Sequence, residues 1–308
     1  MSLLRAAIVS SLCLSSGAAF AETTDGEWGL TGVGRLFNND YFGDNEDRWR
    51  TGSYVLSFAF SKDRERDYAD QPFGLMELRL RSEVIAPRNL NGANSADRAY
   101  AGILSVGVHT HYEISDLEIS VGSDIVVVGP QTGMMEFQRN FHDRVDAPEI
   151  AASVDANQIA NGVYPTVTTE IAREIDFGHS YLRPFVEGQY GAEDLIRVGA
   201  DFQFGDVAVD VAHGRDPVTG QRFKLADSHN RGVAFLLGAD YAIVGDSIYF
   251  PDSFGVEAED ARYRVRAGLN WQIAPKISFY YGATYLSEEY VGQEEGQIVG
   301  SLKLNFNF

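Results

Sequence analysis

The sequence predicts an all-β chain, a single transmembrane antiparallel β-barrel of about twelve strands. Three observations predict it. Apolar and polar residues alternate with a period of two through most of the chain. Mean hydropathy is only −0.18, and no later run of about 18 apolar residues follows the N-terminus, which excludes a polytopic helical membrane protein. It does not exclude a barrel, whose alternating strands look neutral to a hydropathy window. The N-terminus also reads as an export signal. In Met1–Ala21, Arg5 supplies the positive charge, 6–14 the apolar run, and Ala19-Phe20-Ala21 the small-x-small cleavage site. Residues 1–21 are therefore expected to be a signal peptide and 22–308 one barrel domain.

Composition narrows the classes further. The 308 residues carry 25 Lys+Arg against 44 Asp+Glu, a formal charge of −19, which argues against a nucleic-acid binder. Aromatics at 12% argue against disorder. The single cysteine, Cys13, lies in the signal, so no disulfide holds the remainder.

The strands justify themselves in turn. Met76, Leu78 and Leu80 alternate with Glu77, Arg79 and Arg81. Over 196–204, Arg197, Gly199, Asp201 and Gln203 take the polar side. Tyr263, Val265, Ala267, Leu269 and Trp271 oppose Arg264, Arg266, Gly268 and Asn270. Ile298, Gly300, Leu302, Leu304, Phe306 and Phe308 fall on one face, and the chain ends on an aromatic residue, as outer-membrane barrels do. A soluble sandwich could alternate in the same way. The mixture of Arg and Glu on the polar faces favours a lumen that pairs its charges internally.

The expected spans are 27–37, 51–61, 73–86, 99–111, 117–128, 163–175, 180–190, 194–204, 231–249, 260–272, 277–287 and 297–308. Val207–Ala212 also alternates, but one more strand would break the even number that bacterial barrels have. It is read as part of a long connection. If residue 27 starts in the periplasm, the links 38–50, 87–98 and 129–162 all lie on the outer face.

The polar oddities sit in those links. Asn38-Asn39-Asp40-Tyr41-Phe42, followed by Asp44, Glu46, Asp47, Arg48 and Thr51, is a dense set of hard oxygens suited to Ca²⁺, though equally a solvated turn. After Gly129-Pro130 the period of two stops. Gln138 and His142 lie four apart, one helix face, with Met134, Phe137 and Phe141 expected as the apolar side of a short extracellular helix. Asp97-Arg98-Ala99-Tyr100-Ala101-Gly102 opens the fourth span. His109 and His111 share a face near the inner end, and His179, His213 and His229 read as surface residues. The Gly-x-Ser-x-Gly elbow of a serine hydrolase does not occur.

Together and in this order, Asn39-Asp40, Asp47-Arg48 with Thr51, Asp97–Gly102 and Gly129-Pro130…Gln138…His142 resemble the LpxR family, the lipid A 3′-O-deacylases of Gram-negative outer membranes. Asp155-Ala156-Asn157-Gln158 and Glu289-Tyr290-Val291-Gly292-Gln293 look like two further family elements. Ala99 stands where the family has proline, and the glycine after Thr51 comes one residue early. The resemblance implies a twelve-stranded barrel, a monomer in the outer membrane with its active site facing the outer leaflet, and Ca²⁺-dependent hydrolysis of an acyl ester of lipopolysaccharide. It implies His142 as general base on water, Asp40 and Asn39 as metal ligands, and Gln138, Thr51 and Asn39 as catalytic groups. A non-catalytic barrel, whether a small porin, an adhesin or a degenerate homologue, stays open as the alternative.

Overall fold

Alternation along the strands places one set of side chains in lipid and the other in a closed lumen. The computed structural model describes residues 27–62, 67–92, 94, 97–209, 211–226, 228, 230–274 and 277–306. The expected signal peptide, Phe308 and His229 lie outside them. Twelve antiparallel strands make the wall: β1 (Trp28–Asn39), β2 (Trp49–Lys62), β3 (Leu75–Ala86), β4 (Ala101–Ile114), β5 (Leu117–Val128), β6 (Gly162–Ala172), β7 (Ser180–Tyr190), β8 (Glu193–Phe204), β9 (Gly232–Ser247), β10 (Ala261–Ala274), β11 (Ile277–Leu286) and β12 (Gln297–Phe306). The ring closes where β1 pairs with β12, Phe37 opposite Leu302, and is continuous where β6 pairs with β7, Glu170 opposite Glu187. Closure removes the sheet edges that lipid cannot satisfy. The number and order of strands agree with the sequence reading.

The two faces of β4 illustrate the partition. Leu104, Val106 and Val108 are exposed on the outside, whereas Ser105, His109 and His111 are buried inside. The inward charges are paired. His111 Nε2 lies 2.7 Å from Glu77 and His109 Nε2 lies 3.1 Å from Asp124. Asp201 meets Arg215 at 2.8 Å and Arg266 at 2.5 Å, and Arg264 meets Asp240 at 2.9 Å. A buried charge is tolerable only when paired and hydrogen-bonded. Asp201→Ala is accordingly expected to destabilise the barrel by about 3 kcal/mol, read from urea unfolding in lipid vesicles. A change below about 1 kcal/mol would show that the pair is screened like a surface one.

The link 205–231 departs from a plain connection. Its described residues turn inward and fill the lumen. Val207, Ala208, Val211 and Ala212 are buried, and His213–Arg215 pairs with Arg222–Lys224 as a small hairpin. Phe223 and Leu225 pack among Leu36, Val55, Ala59 and Tyr280 from the wall. β1 carries glycine where the hairpin approaches. A Cβ on Gly34 would stand 2.8 Å from the carbonyl oxygen of Lys224. His213 is therefore not the surface residue expected; it lines an internal cavity of about 80 Å³ with Arg79, His109, Glu118, Arg183 and Arg215. Local polarity reveals a loop, but the space that receives it exists only once the ring has formed.

The links after odd-numbered strands gather at one end of the barrel: 40–48, 87–100, 129–161, 191–192, 248–260 and 287–296. Both short α-helices lie there, α1 (Met134–Val145) and α2 (Ala152–Asp155).

Candidate active site

The site forms where β1 gives way to β2. Asn38 points into the lumen, donating to Ser53 at 2.9 Å and accepting from Ser301 at 2.6 Å. Alternation then turns Asn39 to the outside, opposite Gly52 of β2. Asn39 Oδ1 accepts from the Tyr41 N–H at 3.0 Å and so caps a single 3₁₀ turn, Asp40–Phe42. Its Nδ2 donates to the Thr51 carbonyl at 2.8 Å, tying the two strand ends together.

The helix comes from the 129–161 link. Gly129 at φ +98° allows the sharp exit from β5, Pro130 opens a short turn, and Gly133 at φ +69° starts α1. Gly102 of β4 shares the outward parity of Leu104 and Val106. A Cβ there would stand 2.6 Å from Met134 Cβ and from Thr132 Oγ1. The helix therefore leans against the outside of the wall. Val84, Ala86 and Tyr100 of that wall pack with Leu90, Met135, Ile150 and Val154 in one apolar cluster. Gly102→Val is expected to lift α1 off the wall. Proteolysis within 129–161 should quicken while the folded barrel keeps its heat-modifiable migration; unchanged cleavage would contradict this contact.

The helical spacing of the sequence reading holds, but the buried face is a different one. Met135, Gln138 and His142 face the wall. Phe137, expected on the apolar side with Met134 and Phe141, is 51% exposed. What packs against a short helix is set by the wall beside it, and here that wall presents polar groups as well as a methionine pocket.

Asp47 joins the expected residues. His142 Nε2 lies 3.0 Å from Asp47 Oδ2. Asp47 Oδ1 accepts from Thr51 Oγ1 at 2.6 Å and from Gln138 Nε2 at 3.3 Å. The other ring nitrogen, Nδ1 of His142, lies 2.7 Å from the Pro148 carbonyl. A carbonyl can only accept, so Nδ1 carries a hydrogen. Burial pulls the imidazole pKa down, but the Asp47 carboxylate and the Pro148 carbonyl outweigh it and hold the ring above its ordinary value.

Asp40 adjoins this group through Thr51, whose hydroxyl is also 3.3 Å from Asp40 Oδ1. Asp40 is 1% exposed. Its Oδ2 accepts from the Arg48 N–H at 2.9 Å and from Gln297 Nε2 at 3.4 Å. Burial pushes its carboxyl up to about 9, the Arg48 N–H opposes this, and the charges of Asp47 and Asp44 add to the rise. Two carboxyl groups thus converge on one hydroxyl. Gln138 Oε1 and the Tyr100 hydroxyl are buried without a hydrogen-bond partner. Hard oxygens around an uncompensated buried carboxylate, with an orphaned amide oxygen nearby, suit a divalent cation such as Ca²⁺.

Of the residues expected from sequence, Asp40 and Thr51 are in contact. Thr51, Gln138 and His142 share Asp47, and Asn39 joins through the Thr51 backbone. In the sequence Asp47 stands only as one of the loop's hard oxygens and as half of an Asp-Arg pair; its threefold contact singles it out. Tyr100, whose hydroxyl lies within the field of Asp47, had no sequence signal beyond its motif. The other motif residues brace the rim. Gln158 donates to Asp155 at 2.7 Å, and Asp155 holds Arg139 of α1 at 3.1 Å. Glu289 pairs with Arg50 and Arg98 at the mouth of the lumen, and Tyr290 donates to Asp97 at 2.7 Å.

A family model described as outer membrane protein LpxR matches residues 7–308. No curated protein matches the chain. The solved structure of LpxR from Salmonella typhimurium superposes with a TM-score of 0.75 at 17% identity, covering 90% of this chain and 99% of that one. The β domain of the Bordetella autotransporter BrkA gives a TM-score of 0.42 at 9% identity, covering 90% of this chain and 100% of that one.

Proposed function

The chain belongs to the LpxR family of outer-membrane proteins, and on that premise we propose that it is a Ca²⁺-dependent lipid A 3′-O-deacylase with His142 as general base on water. The observation that carries this reading is the convergence of His142, Gln138 and Thr51 on Asp47, beside the buried Asp40, at the rim where α1 leans against the outside of the barrel wall. An ester hydrolase needs a base, a donor or charge for the oxyanion, and a positioned water. A lipid substrate needs those groups where acyl chains are.

The Pro148 carbonyl fixes the tautomer of His142 with its hydrogen on Nδ1. Nε2 is then the nitrogen that takes the proton of the attacking water and later returns it to the leaving sugar hydroxyl. Gln138, buried on the same helix face, orients the ester. Asn39 and Thr51 hold the strand ends at the spacing the site requires, and Thr51 steadies the carboxylates. Asp40, with Asn39 beside it, would hold Ca²⁺, which when bound supplies positive charge to polarise the ester carbonyl. The active site then faces the outer leaflet, because the links that build it follow the odd-numbered strands.

Mass spectrometry of lipid A tests the assignment. Expression in a Gram-negative host with hexa-acylated lipid A is expected to shift the lipid by the mass of one acyloxyacyl group. An unchanged lipid A profile, with the barrel inserted and folded, would return the protein to the non-catalytic class.

A further inference from the structure

We infer that Asp47 is an exchangeable carboxylate, shared between His142 and the cation that Asp40 binds, so that cation binding releases Nε2 of His142 for catalysis. The inference rests on the calcium reading above and adds a residue to it.

The geometry makes the exchange necessary. With Nδ1 committed to the Pro148 carbonyl at 2.7 Å, Nε2 is the one ring nitrogen able to face a water. Asp47 Oδ2 stands 3.0 Å from it, at the place such a water would take. A carboxylate on the orienting nitrogen assists a base; a carboxylate on the working nitrogen blocks it. His142 is therefore withheld from water while Asp47 stays where it is.

A competing claim on Asp47 lies next to it. Thr51 Oγ1 is 2.6 Å from Asp47 and 3.3 Å from Asp40, and a hydroxyl has one proton to give. The carboxyl groups of Asp47 and Asp40 therefore meet at this one hydroxyl. Gln138 is 7% exposed, and its Nε2 reaches Asp47 while its Oε1 has no partner. An orphaned acceptor beside two carboxylates is an arrangement a hard cation satisfies. Asp47 lies on the link between β1 and β2, outside either strand, and is half-buried rather than packed. A side-chain rotation is enough to trade the imidazole for a cation. Calcium would then act twice, by its charge on the ester and by unmasking the base.

The test uses the full chain refolded in detergent, with Ca²⁺ as the probe and two readouts other than turnover. Calcium affinity, from titration calorimetry, should fall about 10–100-fold in Asp47→Asn, the size expected when a supporting group of a metal site is lost. Labelling of His142 by diethyl pyrocarbonate, located by peptide mass spectrometry, should rise several-fold on adding Ca²⁺ to the wild type. In Asp47→Asn it should already be high and should not respond. The wild-type labelling arm needs no variant, so a poorly folding Asp47→Asn leaves the inference testable. Calcium binding with no change in His142 labelling would overturn the exchange and leave the calcium site standing. No calcium binding by the wild type would overturn both.

Discussion

Replacing His142 by Ala is expected to lower lipid A deacylation by about 10²–10⁴-fold, the usual contribution of a general base, without unfolding the barrel. The side chain is buried against the wall but makes only two polar contacts, with Asp47 and the Pro148 carbonyl. Neither holds the strands together. Heat-modifiable migration should be unchanged, and the deacylated species should vanish from the lipid A spectrum. Retained turnover in this variant would remove His142 from the mechanism whatever the fate of the cation. His142→Gln is a useful companion: it can still donate to the Pro148 carbonyl, so a comparable loss there separates proton transfer from positioning.

Removal of divalent cation by EDTA is expected to abolish turnover, with Ca²⁺ restoring it. Asp40→Asn should be inactive at any calcium concentration. Loss of a group that stabilises the oxyanion costs about 10²–10³-fold. The same residue gives a stability signature of opposite sign. Its carboxyl is pushed up from 3.8 to about 9 by burial, so the folded chain holds a proton there that the unfolded chain has released. Stability in chelator should therefore fall as pH rises from about 4 towards 9. Asp40→Asn should flatten that fall and melt higher than wild type in EDTA at pH 8, while calcium stabilises only the wild type. Equal melting of both proteins in EDTA would show that Asp40 is not held at an energetic disadvantage.

The strands were legible because lipid and lumen impose opposite polarity on neighbouring residues. Tyr263–Trp271 and Ile196–Phe204 carry that alternation in full, and both fall within observed strands. The expected residues of the site were legible as motifs, and they meet. What eluded the sequence depends on what lies beside each element in space. The inward turn of 205–231, with His213 inside the barrel, needs a completed lumen. The burial of Gln138 and His142 in place of Phe137 and Phe141 needs the wall that Gly102 and Val84 present. The role of Asp47 needs three partners, Thr51 on β2 and Gln138 and His142 on the 129–161 link. Periodicity reports which side a residue faces, and says nothing of the neighbour waiting there.

The position of α1 on the outside of the wall has a kinetic consequence. A lipid reaches such a site by diffusing sideways within its own leaflet, with no step into water. The encounter rate then follows the mole fraction of lipid A in the bilayer or micelle, a two-dimensional concentration, and not the amount per volume of solution. Diluting the substrate with inert amphiphile at constant bulk concentration should slow the enzyme, and in an intact membrane the packing of the leaflet around the barrel becomes a determinant of rate.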